Sequence, residues 1–182
     1  QNLTIQNTGS STLRLSTNES PTISVAGNLS IVGASRVEVS TTGANTEVTI
    51  QGDLIVNTTV GTSRFKTSGA LCTVNVGGNF TMNASGATLS LSSGAGDAIM
   101  NLTGDFDLIA GTLTETGAGQ GIVNFEGSGI HTFTNTGSIT RGMVYTIPAS
   151  ETVTAIGESI IQGGAGSSIT VDGTLVVESE NS

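Results

Sequence analysis

One short phrase recurs five times in the first 108 residues at nearly constant spacing. The copies span 2–5, 28–31, 53–56, 79–82 and 105–108. Each copy begins with Asn or Asp followed by Leu or Phe, and glycine precedes every copy after the first. Successive copies start 26, 25, 26 and 26 residues apart. A period of this size is typical of a repeat architecture, in which each unit buries its apolar face against its neighbours.

Each unit of about 25 residues contains three short alternating segments. The first is the phrase itself, the second spans 13–15, 37–39, 65–67, 89–91 and 113–115, and the third spans 23–25, 48–50, 74–76, 100–102 and 123–125. Alternate side chains of a strand share one face, so the apolar members of each segment can point into a common interior. Val, Ile and Thr are common, which favours strands over helices.

The order of these strands favours a solenoid over a sandwich. Hairpins prefer Asn-Gly or Asp-Gly loops, and Asp172-Gly173 is the only such dipeptide. Equivalent positions of successive units instead carry similar residues, as stacked turns require. The first predicted inward column is Leu3, Leu29, Leu54, Phe80 and Phe106, and the second is Val25, Ile50, Val76, Leu102 and Phe125. We expect a right-handed parallel β-helix of about seven coils, each with about 25 residues and three short strands.

The repeat predicts one solenoid segment over residues 1–182, with regular coils over 1–126 and less regular coils over 127–182. Ile130 and Phe133 are expected to continue the first column, and the pattern returns over 169–177. The stretch 137–166, which contains Tyr145 and Pro148, is interpreted as a coil with a longer excursion. Neither end carries a cap over its strand edges, so we expect a piece of a longer solenoid or end-to-end stacking of copies.

Composition argues against several classes of function and partner. A net charge of −9 argues against binding to nucleic acid or anionic lipid. No apolar run approaches the roughly 18 residues of a spanning helix, so no membrane insertion is expected. The single cysteine, Cys72, excludes an intramolecular disulfide, and its alternation with Val74 and Val76 predicts a buried, inward position.

The candidates for catalysis are few. Asp105 and Asp107 form the densest acidic pair, but both are expected to face outward with no base nearby in sequence. The lone histidine, His131, lies in an alternating stretch and is interpreted as a structural residue rather than a general base. Sugar sites use aromatic platforms, and the chain has no Trp and one Tyr. We therefore predict no enzyme activity, no catalytic residue and no cofactor.

Two outward columns of the middle strands carry polar residues. Arg14, Glu38 and Lys66 alternate in sign and predict a surface charge ladder, with short distances from Glu38 to both cations. A threonine array suited to ice binding is disfavoured, because Arg36 and Arg64 are expected to interrupt the column of Thr12, Thr88 and Thr112.

A further polar row begins each repeat, and we name it the turn ladder: Asn2, Asn28, Asp53, Asn79 and Asp105. Asn and Asp tolerate tight turns and bond locally, which is the favoured interpretation. The alternative is a calcium row. However, the two aspartates would lie two rungs, about 9.6 Å, apart, too far to share one ion. No metal site is predicted.

Three segments, 78–82, 104–114 and 123–133, resemble the repeats of very large Bacteroidota surface proteins that are exported by type IX secretion and include adhesins. The resemblance implies an extracellular, cell-surface location and a stalk, adhesive or filament role, and it supplies no active-site residue. Implied partners are neighbouring coils of the same or an identical chain, surface glycans or other cells. The family's C-terminal sorting domain is not recognised, which fits an excised segment. Two alternatives are a carbohydrate-binding or polysaccharide-degrading β-helix and a head-to-tail filament subunit.

Overall fold

A computed structural model describes residues 1–7, 12–15, 22–34, 36–40, 45–66, 69–157 and 166–178. These residues form 19 β-strands and no helix. The strands are β1 (Leu3–Asn7), β2 (Thr12–Arg14), β3 (Thr22–Val25), β4 (Leu29–Gly33), β5 (Arg36–Ser40), β6 (Thr46–Ile50), β7 (Leu54–Thr58), β8 (Thr62–Lys66), β9 (Cys72–Val76), β10 (Phe80–Ser92), β11 (Ala98–Leu102), β12 (Phe106–Thr114), β13 (Gly121–Phe125), β14 (Ile130–Asn135), β15 (Ser138–Thr140), β16 (Met143–Ile147), β17 (Thr152–Ile156), β18 (Ser168–Val171) and β19 (Thr174–Glu178).

The strands build two parallel sheets that run along a solenoid of about six turns. A 12-stranded sheet follows the order β1-β4-β7-β10-β12-β14-β17-β19, with β2, β5, β8 and β15 attached beside this path. A seven-stranded sheet follows the order β18-β16-β13-β11-β9-β6-β3. Strands within these orders therefore pair with their equivalents one turn earlier and one turn later, and the predicted parallel β-solenoid is confirmed.

The middle strand of each turn varies more than the repeat suggests. It is separate as β2, β5, β8 and β15, but it merges with the preceding strand in β10 and β12. The pairing of β10 with β12 shifts register between Met82 and Asn83 and again before Thr88, which marks a β-bulge. The strands in these two turns thus bend at a bulge instead of ending at a loop.

Both sets of inward residues lie in register from turn to turn. Leu3 pairs with Leu29, and the same file continues through Leu54, Phe80, Phe106 and Phe133. The second file runs through Val25, Ile50, Val76, Leu102 and Phe125. All of these side chains are buried except Leu3, which is 40% exposed because no further rung covers it. The expectation for Ile130 is wrong, because it pairs with Thr152 outside this file and is 79% exposed.

The centre of the core is aromatic. The rings of Phe106 and Phe133 stack with centroids 4.7 Å apart, and Tyr145 meets both edge-on. Tyr145 lies in β16 and pairs with Val123, so residues 138–156 continue the ladder. Residues 158–165, within the stretch where the sequence predicts an excursion, lie outside the described residues. Cys72 is fully buried in β9, which confirms its inward position.

Candidate functional site

The turn ladder is a continuous chain of hydrogen bonds between turns. The Oδ1 atom of Asn2 accepts the backbone N–H of Asn28 at 2.9 Å, and the same bond recurs from Asp53 N to Asn28, Asn79 N to Asp53 and Asp105 N to Asn79, at 3.0, 2.9 and 2.9 Å. Asp105 Oδ1 then accepts the N–H of Thr132 at 2.7 Å. These oxygens bind backbone donors, and the described residues contain no group of three or more His, Cys, Asp or Glu placed to hold a metal ion.

The glycine before each ladder residue is explained by the same contact. A Cβ atom on Gly52, Gly78 or Gly104 would overlap the Oδ1 atom of the ladder residue one turn earlier. On Gly78 it would also lie 2.9 Å from the carbonyl carbon of Gly52 and 3.0 Å from the backbone nitrogen of Asp53. The glycine is thus required by close approach of two turns, and the Gly-Asn or Gly-Asp dipeptide acts as one unit.

The charge ladder exists, but its third member is not the predicted one. Glu38 Oε2 lies 2.9 Å from Arg14 Nε, and Glu38 Oε1 lies 3.2 Å from Arg64 Nη1. The register places Arg64 beside Glu38, whereas Lys66 pairs with Ser40, so the prediction of Lys66 is wrong. Glu38 is also only 9% exposed, so its carboxylate is largely enclosed between the two guanidinium groups.

The register also revises the threonine column. Thr88 pairs with Thr62 and with Thr112, while Thr12 pairs with Arg36. Arg36 therefore interrupts the column as expected. Arg64 does not, because it occupies the neighbouring charge ladder.

The acidic pair Asp105 and Asp107 does not form a catalytic arrangement with a described cation. Asp105 accepts the bond from Thr132, and neither carboxylate is in a salt bridge with a described residue. Partial burial raises the pKa of Asp107, a hydrogen bond with Thr134 lowers it, and the charge of Asp105 raises it further.

A buried cluster that the sequence did not predict surrounds His131. The ring Nδ1 lies 2.9 Å from the carbonyl oxygen of Gly104, and Nε2 lies 2.9 Å from Glu151 Oε2. His131 and Glu151 are 2% and 3% exposed. Glu151 also accepts hydrogen bonds from Ser128 N at 2.6 Å, Gly129 N at 2.8 Å and Ser150 Oγ at 2.9 Å. The cluster joins three successive turns.

The protonation of this cluster follows from its hydrogen bonds. Burial acts to raise the pKa of Glu151, but the N–H of Gly129, the His131 ring, the N–H of Ser128 and the Ser150 hydroxyl together lower it to about 2. The carboxylate is therefore ionised and can only accept. Nδ1 and Nε2 of the His131 ring each lie within hydrogen-bond distance of an oxygen, on Gly104 and Glu151 respectively. Neither ring nitrogen therefore lacks a partner.

One sequence signal could have revealed the cluster. Phe133 pairs with Phe106, and this register puts His131 at the position of Gly104, where earlier turns have glycine. The turn ladder stops at the same point, because Thr132 stands where Asn or Asp stood before. In this turn, the buried His131–Glu151 pair thus takes the place of the glycine and the Asn or Asp side chain that join the earlier turns.

A second row of amides lies on the outer surface of the seven-stranded sheet. We name Asn75, Asn101 and Asn124 the amide row. Asn124 Nδ2 donates to Asn101 Oδ1 at 3.1 Å, Asn101 Nδ2 donates to Asn75 Oδ1 at 2.8 Å, and Asn75 Nδ2 donates to Glu47 Oε1 at 3.1 Å. Two grooves of about 510 and 340 Å³ border this row, and Asn75 and Asn101 line both.

A third groove of about 450 Å³ lies at another corner, where Glu115 and Arg141 face it among glycines. Burial raises the pKa of Glu115, and the charge of Arg141 together with the N–H of Gly117 lowers it. Residues 158–165, next in sequence to the Gly166 that lines this groove, lie outside the described part of the chain.

Comparisons with protein-family models, with curated proteins and with solved structures gave no match to this chain. No family membership therefore favours one activity over another. Among the described residues, no helix is long and apolar enough to cross a membrane.

Proposed function

We propose that this chain is a non-catalytic structural or adhesive segment of an extracellular, cell-surface β-solenoid. One observation carries the proposal: polar side chains with fixed positions bind other turns of the same chain. The turn ladder, the charge ladder and the His131–Glu151 pair all join successive turns. Such bonds hold successive turns together along the axis, and they engage Glu38, Glu151 and His131 with other turns and do not leave them free for general acid-base chemistry.

The finer architecture belongs to the same proposal. A right-handed rod with about seven coils and three strands per coil would have a core about 30 Å long at ~4.8 Å per rung. Its partners would be adjoining coils of the same or an identical chain, with glycans or other cells at its outer surface. The resemblance of 78–82, 104–114 and 123–133 to type IX-secreted Bacteroidota repeats supports export to the cell surface.

Two measurements test this function. In the source cell, antibodies against the chain should label intact cells as strongly as permeabilised ones, and labelling only after permeabilisation would contradict a surface location. Saturable hydrolysis of a polysaccharide by the purified chain would contradict the non-catalytic assignment.

Two other functions draw on particular features. Carbohydrate binding is favoured by the amide row and its two grooves, whereas polysaccharide cleavage would need a free acid pair that Asp105 and Asp107 do not provide.

Head-to-tail assembly is favoured by the terminal strands β1 and β19, each paired on one side, with Leu3 and Val177 40% and 72% exposed. Concentration-dependent fibres in electron micrographs would support assembly.

A further inference from the structure

The outer surface of the seven-stranded sheet is regular and almost uncharged. Its outward residues form two columns, and Glu47 is the only charged residue in either. The first column is Thr22, Glu47, Thr73, Ile99, Ile122, Val144 and Ser168, and the second is Ser24, Thr49, Asn75, Asn101, Asn124, Thr146 and Thr170. We name this surface the outer face. It spans six rung spacings, about 29 Å at ~4.8 Å each.

The amide row at the centre of the outer face holds its side chains in fixed positions. Asn101 donates one N–H to Asn75 and accepts one bond from Asn124. A carboxamide has two N–H donors and two acceptor lone pairs, so Asn101 keeps one of each for a ligand. Asn75 is in the same situation, because it donates to Glu47 and accepts from Asn101. Since the row already orders these side chains, a ligand would lose little entropy in binding them.

An apolar column runs beside the amides at the same spacing. Ile99, Ile122 and Val144 are half-buried and lie two residues before Asn101, Asn124 and Thr146, on the same face of the sheet. The grooves of about 510 and 340 Å³ both border Asn75 and Asn101. A ligand that matches this surface has hydroxyl groups for the amides, C–H surface for the apolar column and a repeat along one direction.

The charge of the outer face decides the class of that ligand. The outward columns offer no cation for an anionic group, and Glu47 at the end of the amide row would repel one. We propose that the outer face binds a neutral polysaccharide, with the carboxamides of Asn75 and Asn101 bonding its hydroxyl groups. This inference rests on the adhesive role proposed above and names its ligand class.

Affinity gel electrophoresis of the full chain can test the inference, with dextran, xylan and galactomannan as neutral probes and alginate as an anionic one. The key variant is Asn101→Thr, because threonine already occupies this column at Thr49, Thr146 and Thr170 and therefore fits the sheet. The matched control is Asn83→Thr in the 12-stranded sheet, where the Asn83 side chain is exposed. We expect retention by at least one neutral probe, a loss of affinity of about tenfold in Asn101→Thr, and no change in Asn83→Thr.

Other outcomes would overturn the inference. These are no retention by any neutral probe, stronger retention by alginate, or equal retention of Asn101→Thr and the unmodified chain. A dimer in sedimentation velocity that Asn101→Thr dissociates would assign the outer face to a second copy of the chain. A chain that is labelled on intact cells but not retained would contradict this inference alone and leave the structural role intact.

Discussion

Substituting one turn-ladder glycine tests how tightly the turns are joined. In Gly78→Ala, the new Cβ would overlap Asp53 Oδ1 and approach the backbone of the preceding turn at 2.9 and 3.0 Å. Asp53 would have to release the N–H of Asn79, a bond to a charged acceptor worth about 1.5–3 kcal/mol. Forced movement of packed backbone adds about 1–3 kcal/mol. We expect the free energy of unfolding to fall by about 3–5 kcal/mol.

Gly69 provides the matched control. An added Cβ there meets nothing within 4 Å. Gly69→Ala should leave stability unchanged or raise it by about 0.4–1 kcal/mol, because alanine restricts the unfolded chain. Urea unfolding followed by circular dichroism measures both variants, and the melting temperature of Gly78→Ala should fall by about 10 °C for a chain of this size. If the two variants differ by less than about 0.5 kcal/mol, the close approach of the turns does not explain the glycine.

A double-mutant cycle separates the side-chain overlap from the backbone contact. Asp53→Ala alone removes the acceptor of the Asn79 N–H and should cost about 1–2 kcal/mol. In that background Gly78→Ala should cost less than it does alone, with a coupling of about 1–2 kcal/mol. Strict additivity would show that the carboxylate and the Cβ do not compete for the same space.

Four further substitutions test three other contacts. Glu151→Gln should reduce stability by about 3–5 kcal/mol, because it removes the buried carboxylate that His131 contacts at 2.9 Å. Folding lowers the pKa of Glu151 from 4.5 to about 2, so the stabilisation it gives is present above pH 4.5 and lost toward pH 2, and urea midpoints across that range should decline less in the variant. Tyr145→Phe should raise the melting temperature, because it removes a buried hydroxyl with no hydrogen-bond partner among the described residues and leaves the ring contacts in place. A lower melting temperature would contradict this explanation. Arg64→Ala should lower the free energy of unfolding by about 1 kcal/mol, and Arg14→Ala by less, because the Arg14 side chain is 58% exposed beside Glu38. Equal losses of stability in a thermal scan would argue against this ranking.

The inward columns could be predicted because the repeated phrase fixes their spacing. Leu29, Leu54 and Phe80 each follow an Asn or Asp, so aligning the phrases aligns the side chains. Direct stacking then requires the apolar residues to fall into one file, as the parallel register shows. Where the phrase is intact, sequence alone places each turn on its neighbour.

The middle strand lacks such a phrase, and its register could not be fixed in the same way. Lys66 and Arg64 differ by two positions, so both have the same parity and alternation cannot distinguish them. The number of residues between the first and middle strands changes from turn to turn, which moves Arg64 beside Glu38. The alternation of charge correctly predicted that Glu38 lies between two cations, but it did not identify Arg64 as the second one.

The sequence marks the position of His131, but it does not identify Glu151 as its partner. The two residues are 20 positions apart, and Glu151 lies just before β17 in the less regular part of the chain. For the amide row, strand alternation predicts only that Asn75, Asn101 and Asn124 face outward. Their mutual bonds depend on the stacking of neighbouring turns.

The hydrogen bonds of the turn ladder all point in one direction along the chain, which bears on how such a solenoid can lengthen. Every bond runs the same way, with a side-chain oxygen of one repeat receiving the amide of the repeat after it. Duplicating a whole unit, such as 53–78, inserts one acceptor and one donor together, so gene duplication could lengthen the solenoid without interrupting the turn ladder. Such growth is confined to the part before His131, where the glycine unit ends. Variation in length among descendants of this sequence should therefore accumulate before His131.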